Sequence, residues 1–262
     1  MTNKLKFVRC IALSFLWAFA LFSGVFMRGV SAQTRTPSFQ LMEATIPQLQ
    51  AALATGVVTS RDLVTMYLAR IEAYDQRGPA LNAISVTNPK ALAEADALDV
   101  ERRAGASRGL LHGIPVIVKD NYETVGMQTA DGSKALAGFV PPDDAYLIKR
   151  LREAGAIILA KSNMHEFAAG ILTVGSLFGA TRNPYALDRN PGGSSGGTGA
   201  AIATNFSAVG KGSDTCGSIR IPAAHNSLVG IRGAQGLATG HWWTDRPHGL
   251  RYCYRPRRDC RL

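Results

Sequence analysis

A chain of 262 residues that is 46% hydrophobic and 18% charged holds enough apolar material for one sizeable core or two small ones, which excludes disorder, collagen and coiled coil as descriptions of the whole. Lys and Arg number 29 against 19 Asp and Glu, a net charge of +10, but the surplus sits at the two ends. Lys4, Lys6, Arg9 and Arg28 lie in the first 32 residues, and 241–262 holds six Arg against Asp245 and Asp259, so the body between them lacks the basic excess expected of a nucleic-acid or anionic-membrane partner.

In chain order, the basic start runs into the apolar stretch CIALSFLWAFALFSGVFM and then Val30, Ser31 and Ala32, a small-residue cleavage pattern. Residues 1–32 therefore read as a secretory signal; the alternative is an uncleaved anchor, since 18 residues just reach spanning length. A secreted or periplasmic protein with no stable membrane insertion after cleavage is expected, its folded domain covering 33–240. Thr45 with Pro47 and Gln48, then Thr59 with Asp62, give two helix starts with capping-box spacing. After the second, Leu63, Met66, Tyr67, Arg70, Ile71 and Tyr74 recur every three or four residues and predict one largely apolar face. A third helix is expected from Pro89 to about Arg103. The runs 114–118 and 156–160 are short and continuously apolar, as in strands buried on both faces, and 144–154 between them reads as a helix with Leu147, Ile148 and Leu151 on one side. Strand, helix and strand imply a right-handed βαβ unit, a mainly parallel sheet and an α/β fold with an N-terminal helical layer.

From 190 to 220 the composition turns to Gly and Ser around an apolar, helix-like stretch at 200–205. A flexible linker is a poor reading, because flanking segments such as Ile219, Ile221 and Ala223 are apolar. Phosphate-binding glycine patterns are absent: there is no G-x-G-x-x-G, and 210–213 lacks the Lys-Ser/Thr adjacency of a P-loop. The five His and four Cys show no metal-ligand spacing, and each His reads as structural. G-x-S-x-G occurs twice, around Ser194 and Ser195, but a nucleophile elbow needs a strand just before it and 182–191 is a Pro-bounded loop. The remaining chemistry joins three places. Lys119 ends the apolar run at the C-terminal edge of the sheet, Ser194 lies in the Gly-rich loop and Ser218 closes Asp214-Thr-Cys-Gly-Ser, a set that suggests a serine nucleophile activated by lysine.

The segments GIPVIVKDNYET, DDAYLIKRLREAGAIILAKSNMHEFAAG, NPGGSSGGTGAA and GSDTCGSIRIPAA resemble, in order and spacing, the amidase signature family of amide hydrolases. The likeness runs from about residue 41 to about 238. It implies an α/β fold on a twisted mixed sheet flanked by helices, and a Ser-Ser-Lys triad with Lys119 as base, Ser194 as a bridging serine that follows a cis peptide, and Ser218 as nucleophile. No cofactor or metal is implied, and the partner is a small-molecule amide substrate rather than a nucleic acid. An amine with an unperturbed pKa near ~10.4 must be desolvated to act as base near neutrality, and the apolar neighbours of Lys119 supply that. Asp120 is expected on the opposite face of the strand. Thr215, Cys216 and Gly217 are expected to line the oxyanion site with backbone N–H groups. Arg220 and Asp214 are expected to hold loops together.

The chain departs from the family pattern in two places. Cys216 stands where the family usually has Gly, at a turn that could require positive φ. The resemblance ends near 236–239, and HWWTDRPHGLRYCYRPRRDCRL follows without hydrophobic period. That tail reads as a frameshifted or truncated end in preference to a nucleic-acid arm, with part of the family's sheet and pocket missing. The leading expectation is an amidase cleaving a linear carbon-nitrogen amide bond through a serine acyl-enzyme. The alternatives are the catalytic subunit of an amidotransferase, which the signal disfavours, and an inactive amidase fragment.

Overall fold

The computed structural model describes residues 39–232 and the backbone of a strand at Tyr252–Tyr254. The expected signal at 1–32 and the rest of the tail lie outside the described residues.

Both capping boxes form. Thr45 starts α1 (Ile46–Ala54) and Thr59 starts α2 (Ser60–Ile71), each with its hydroxyl accepting from the N–H three residues on and the reciprocal side chain accepting back. The buried face of α2 differs from the predicted one. Leu63, Val64, Tyr67 and Ile71 are buried, Met66 and Arg70 are only partly so, and Tyr74 is exposed. The reason is local. A π turn at Glu72–Gln76 follows Ile71 and takes Tyr74 out of helical register, and Arg70 lies over the Tyr74 ring while donating to the carbonyls of Thr204 and Asn205. β1 (Ile84–Thr87) and α3 (Ala91–Arg103) follow. The buried Asp99 of α3 accepts from the N–H groups of Ser60 at 2.8 Å and Arg61 at 3.1 Å, so a carboxylate caps the positive end of α2.

The two continuous apolar runs become β2 (Pro115–Lys119) and β3 (Ile157–Ser162), every residue buried, with α4 (Tyr146–Glu153) crossing between them. Ile148 and Leu151 of α4 pack with Val116, Val118 and Ile158 on one face, and Leu147 is partly buried against them. Ile117, Ile157 and Leu159 point the other way, into a cluster with α1, α2, α3 and the short helix α5 (Gly196–Ala203). Alternation along each strand thus builds two cores from one sheet.

β4 (Val174–Gly175) and β5 (Gly179–Ala180) form a separate hairpin. β6 (Gly210–Lys211), α6 (Arg220–His225), β7 (Val229–Gly230) and β8 (Tyr252–Tyr254) complete the described elements, and the main sheet has the order β1-β3-β2-β6-β8-β7. β2 runs parallel to β3 and β6, whereas the pairs β1/β3, β6/β8 and β7/β8 are antiparallel. The sheet is therefore mixed, as the family resemblance implied, and not mainly parallel. The parallel pairs are confined to the centre, where β2 and β3 are buried on both faces; β1, with Thr87 exposed, is an antiparallel edge. Among the described residues no helix is long and apolar enough to cross a membrane.

α5 begins earlier than the predicted stretch at 200–205, inside the glycine run. A Cβ at Gly197 would lie 2.2 Å from the Asn163 carbonyl oxygen and 2.6 Å from that of Ala83, so these glycines let a helix end rest directly on backbone. Gly197→Ala is expected to destabilise the chain at or above the upper end of the usual ~1–3 kcal/mol for overpacking, read as a fall in the urea midpoint with unchanged slope; a midpoint equal to wild type would show that the backbone yields without cost.

Candidate active site

Lys119 is the last residue of β2 and fully buried. Its Nζ donates to Ser194 Oγ at 2.6 Å and to Ser213 Oγ at 2.9 Å. Asn121 Nδ2 also donates to Ser213 Oγ, at 3.0 Å. Ser194 is buried, follows a cis peptide bond from Gly193 and accepts at its carbonyl from the His165 N–H at 3.0 Å. The next residue joins the two Gly-rich loops. Ser195 precedes α5; its hydroxyl donates to the Ser213 carbonyl at 3.0 Å, and its N–H donates to the Ser218 carbonyl at 3.1 Å.

Two of the three expected residues are thus in direct contact, and the third is held in the adjoining turn by its backbone. Ser218 is partly exposed, and among the described residues no hydrogen bond joins its hydroxyl to that of Ser194. Such bonds are often loose until substrate is bound. The segment before Ser194 is a turn-rich loop and not a strand, so the geometry of a nucleophile elbow is absent there. His112 is buried with Nε2 3.0 Å from the Leu98 carbonyl oxygen and Nδ1 accepting from the Arg108 N–H at 3.3 Å, a structural histidine. Ser213 carries no signal in the sequence: it looks like any other turn serine until β6 brings it to Lys119.

The family model described as Amidase matches residues 62–243. The chain belongs to the amidase family. It is 45% identical over 200 residues to a glutamyl-tRNA(Gln) amidotransferase subunit of Azoarcus sp. (strain BH72), covering 76% of this chain and 40% of that protein. The counterpart of the same name in Pseudomonas aeruginosa is 44% identical over 197 residues, 75% of this chain and 40% of that one. The native peptide amidase of Stenotrophomonas maltophilia superposes with a TM-score of 0.74 at 44% identity, over 78% of this chain and 42% of its own. A 6-aminohexanoate cyclic dimer hydrolase complexed with substrate gives 0.73 at 27% identity, over 83% and 44%. The chain thus spans about two-fifths of the length of these relatives.

Within this chain the turn before Ser218 is organised by Asp214. Its buried carboxylate accepts from the N–H groups of Gly217 at 2.7 Å, Ile219 at 3.2 Å and Arg220 at 3.4 Å, and from the Arg220 guanidinium at 3.1 and 3.3 Å. Burial alone would raise the Asp214 carboxyl; the Arg220 guanidinium and the backbone donors outweigh it and hold the group down at about 2. This corrects one expectation. The Gly217 N–H is committed to Asp214, so of the three residues expected to line the oxyanion site only Thr215 and Cys216, both exposed, have an N–H with no acceptor among the described residues. The positive φ of the turn, +132°, falls on Gly217 and not on Cys216. The departure from the family's glycine at Cys216 therefore does not call for left-handed backbone at that residue.

Asp120, the residue after β2, faces away from Lys119, as alternation predicts. Its carboxylate is 3.7 Å from Lys161 Nζ and accepts from the N–H groups of Ala130 and Gly132, both at 3.2 Å. Lys161, fully buried on β3, also donates to the Tyr122 carbonyl at 2.7 Å and to Thr129 Oγ1 at 2.8 Å. Burial pushes Asp120 up to about 6 and Lys161 down to about 8, each opposed by its partner's charge. Neither the role of Lys161 nor the anchoring of 130–132 carries a signal in the sequence.

Proposed function

We propose that the chain is an amide hydrolase that cleaves a linear carbon-nitrogen bond by way of an acyl-enzyme on Ser218. The observation that carries this is a dry Lys119 amine 2.6 Å from the Ser194 hydroxyl at the C-terminal edge of the sheet. With the amine neutral, the same contact works in the reverse sense, Nζ accepting the Ser194 proton while one of its own N–H bonds stays on Ser213. Ser194 takes a proton from Ser218 as it gives up its own, and Ser218 Oγ bonds to the amide carbon. The carbonyl electrons move to oxygen, where the N–H groups of Thr215, Cys216 and Ser218 itself have no acceptor among the described residues and are the donors available. When the C–N bond breaks, the leaving nitrogen receives the proton held on Lys119 through Ser194. Water then enters by the same relay and releases the acid.

The basic, apolar leader at 1–32 supports a secreted or periplasmic location for this activity. The 45% identity to a subunit of glutamyl-tRNA(Gln) amidotransferase favours, as second reading, that the released nitrogen is passed to an acceptor instead of to solvent; both readings need the same acyl-enzyme. Incubation of the full chain with a fluorophosphonate is expected to label Ser218, with no labelling of Ser218→Ala. A folded wild-type chain that takes no label would mean an inert amidase fragment.

A further inference from the structure

The loop after β2 presents a carboxylate that the relay does not use. Asp131 has a left-handed backbone, φ +51°, fixed on both sides. The N–H groups of Ala130 and Gly132 both go to Asp120, and the Asp131 carbonyl accepts from the Phe167 N–H at 2.9 Å. The side chain is therefore placed by its backbone and not by a partner of its own. Asp131 Oδ1 is buried with no hydrogen-bond partner among the described residues, although the residue keeps some exposure. An acceptor left in that condition costs free energy until something completes it.

Its surroundings indicate what that something is. The loop lies at the C-terminal ends of parallel β2 and β3, the edge where open α/β sheets take ligands. Burial raises the Asp131 carboxyl, and the charges of Lys119 and Lys161 pull against that rise, which places the group within electrostatic reach of both. Lys161 is already balanced by Asp120. The relay requires an uncharged Lys119, which withdraws one of the two positive charges that favour the ionised form of Asp131, and a cation on the substrate that donates to the unpartnered Oδ1 would restore it.

We propose that Asp131 is a specificity-determining residue that accepts a hydrogen bond from an ammonium group on the substrate, so that the site prefers cationic amides, such as amino-acid amides, to neutral aliphatic ones. The inference rests on the hydrolase reading for where the amide lies. It is tested in the full chain carrying Ser218→Ala, which leaves the amide intact, with alaninamide and its neutral isostere isobutyramide as probes in a calorimetric or NMR titration. Alaninamide is expected to bind about tenfold or more tightly, the scale of a charge-assisted hydrogen bond. Adding Asp131→Asn is expected to bring the two affinities together; Asn keeps the shape and tolerates the left-handed backbone, so the loop is retained. Equal affinities without Asp131→Asn, a preference that survives it, or no binding of either amide would each overturn the proposal. Fluorophosphonate labelling of wild-type Ser218 separates the two failures: label with no preference sinks the role of Asp131 alone, whereas neither label nor binding sinks the hydrolase reading with it.

Discussion

Lys119→Met is expected to slow acylation of Ser218 by about 10²–10⁴-fold, the usual contribution of a positioned general base. The rate of fluorophosphonate labelling measures it directly. Methionine is the suitable replacement because it fills the same dry space without a charge, so the strand end stays packed and a lost rate reports chemistry and not unfolding. Ser194→Ala is expected to act almost as severely, since the Lys119 amine reaches Ser194 at 2.6 Å and the proposed path to Ser218 runs through that hydroxyl. The double variant is expected to be no slower than the worse single one, because residues that act as a unit lose their effect together. Additive losses, or labelling of Lys119→Met at the wild-type rate, would remove Lys119 from the role of base.

What can be read from the sequence follows from how local the cause is. The capping boxes at Thr45 and Thr59 and the apolar runs of β2 and β3 are encoded within a few neighbouring residues, and they appear where expected. Tyr74 departs from its expected face because a π turn has no period to betray it. The antiparallel edges of the sheet escape the strand–helix–strand pattern, which speaks only of the strands it joins. In the site, Lys119 and Ser194 stand out by strand end and glycine context. The lock on the Gly217 N–H is as local as a capping box, yet it does not stand out, because no helical or strand period follows Asp214 to show that its carboxylate takes that N–H. Lys161 is missed for a different reason: it follows the apolar run 156–160 as Lys119 follows 114–118, but that place gives no sign of its partner, because Asp120 is 41 positions away and is brought near only by parallel pairing of β2 with β3.

That buried pair governs the second large effect. Lys161→Ala is expected to cost about 3–5 kcal/mol at neutral pH, because it strands Asp120 without a counter-charge and removes the donors to Tyr122 and Thr129. Its pH dependence has a definite sign. Asp120 is raised from 3.8 to about 6, so between those values the native chain holds more proton than the unfolded one, and stability falls as pH rises through the window. Lys161 is lowered from 10.5 to about 8, so between those values the unfolded chain holds the proton, and stability increases with pH. The pair therefore contributes least between about 6 and 8, where both groups are charged and both bear the cost of burial. Asp120→Asn combined with Lys161→Met removes both limbs, and this double variant is expected to lie near wild type at pH 7 while its urea midpoint varies less from pH 4 to 10. A wild-type midpoint profile that runs parallel to that of the double variant would show that the two charges do not set the stability of this sheet face.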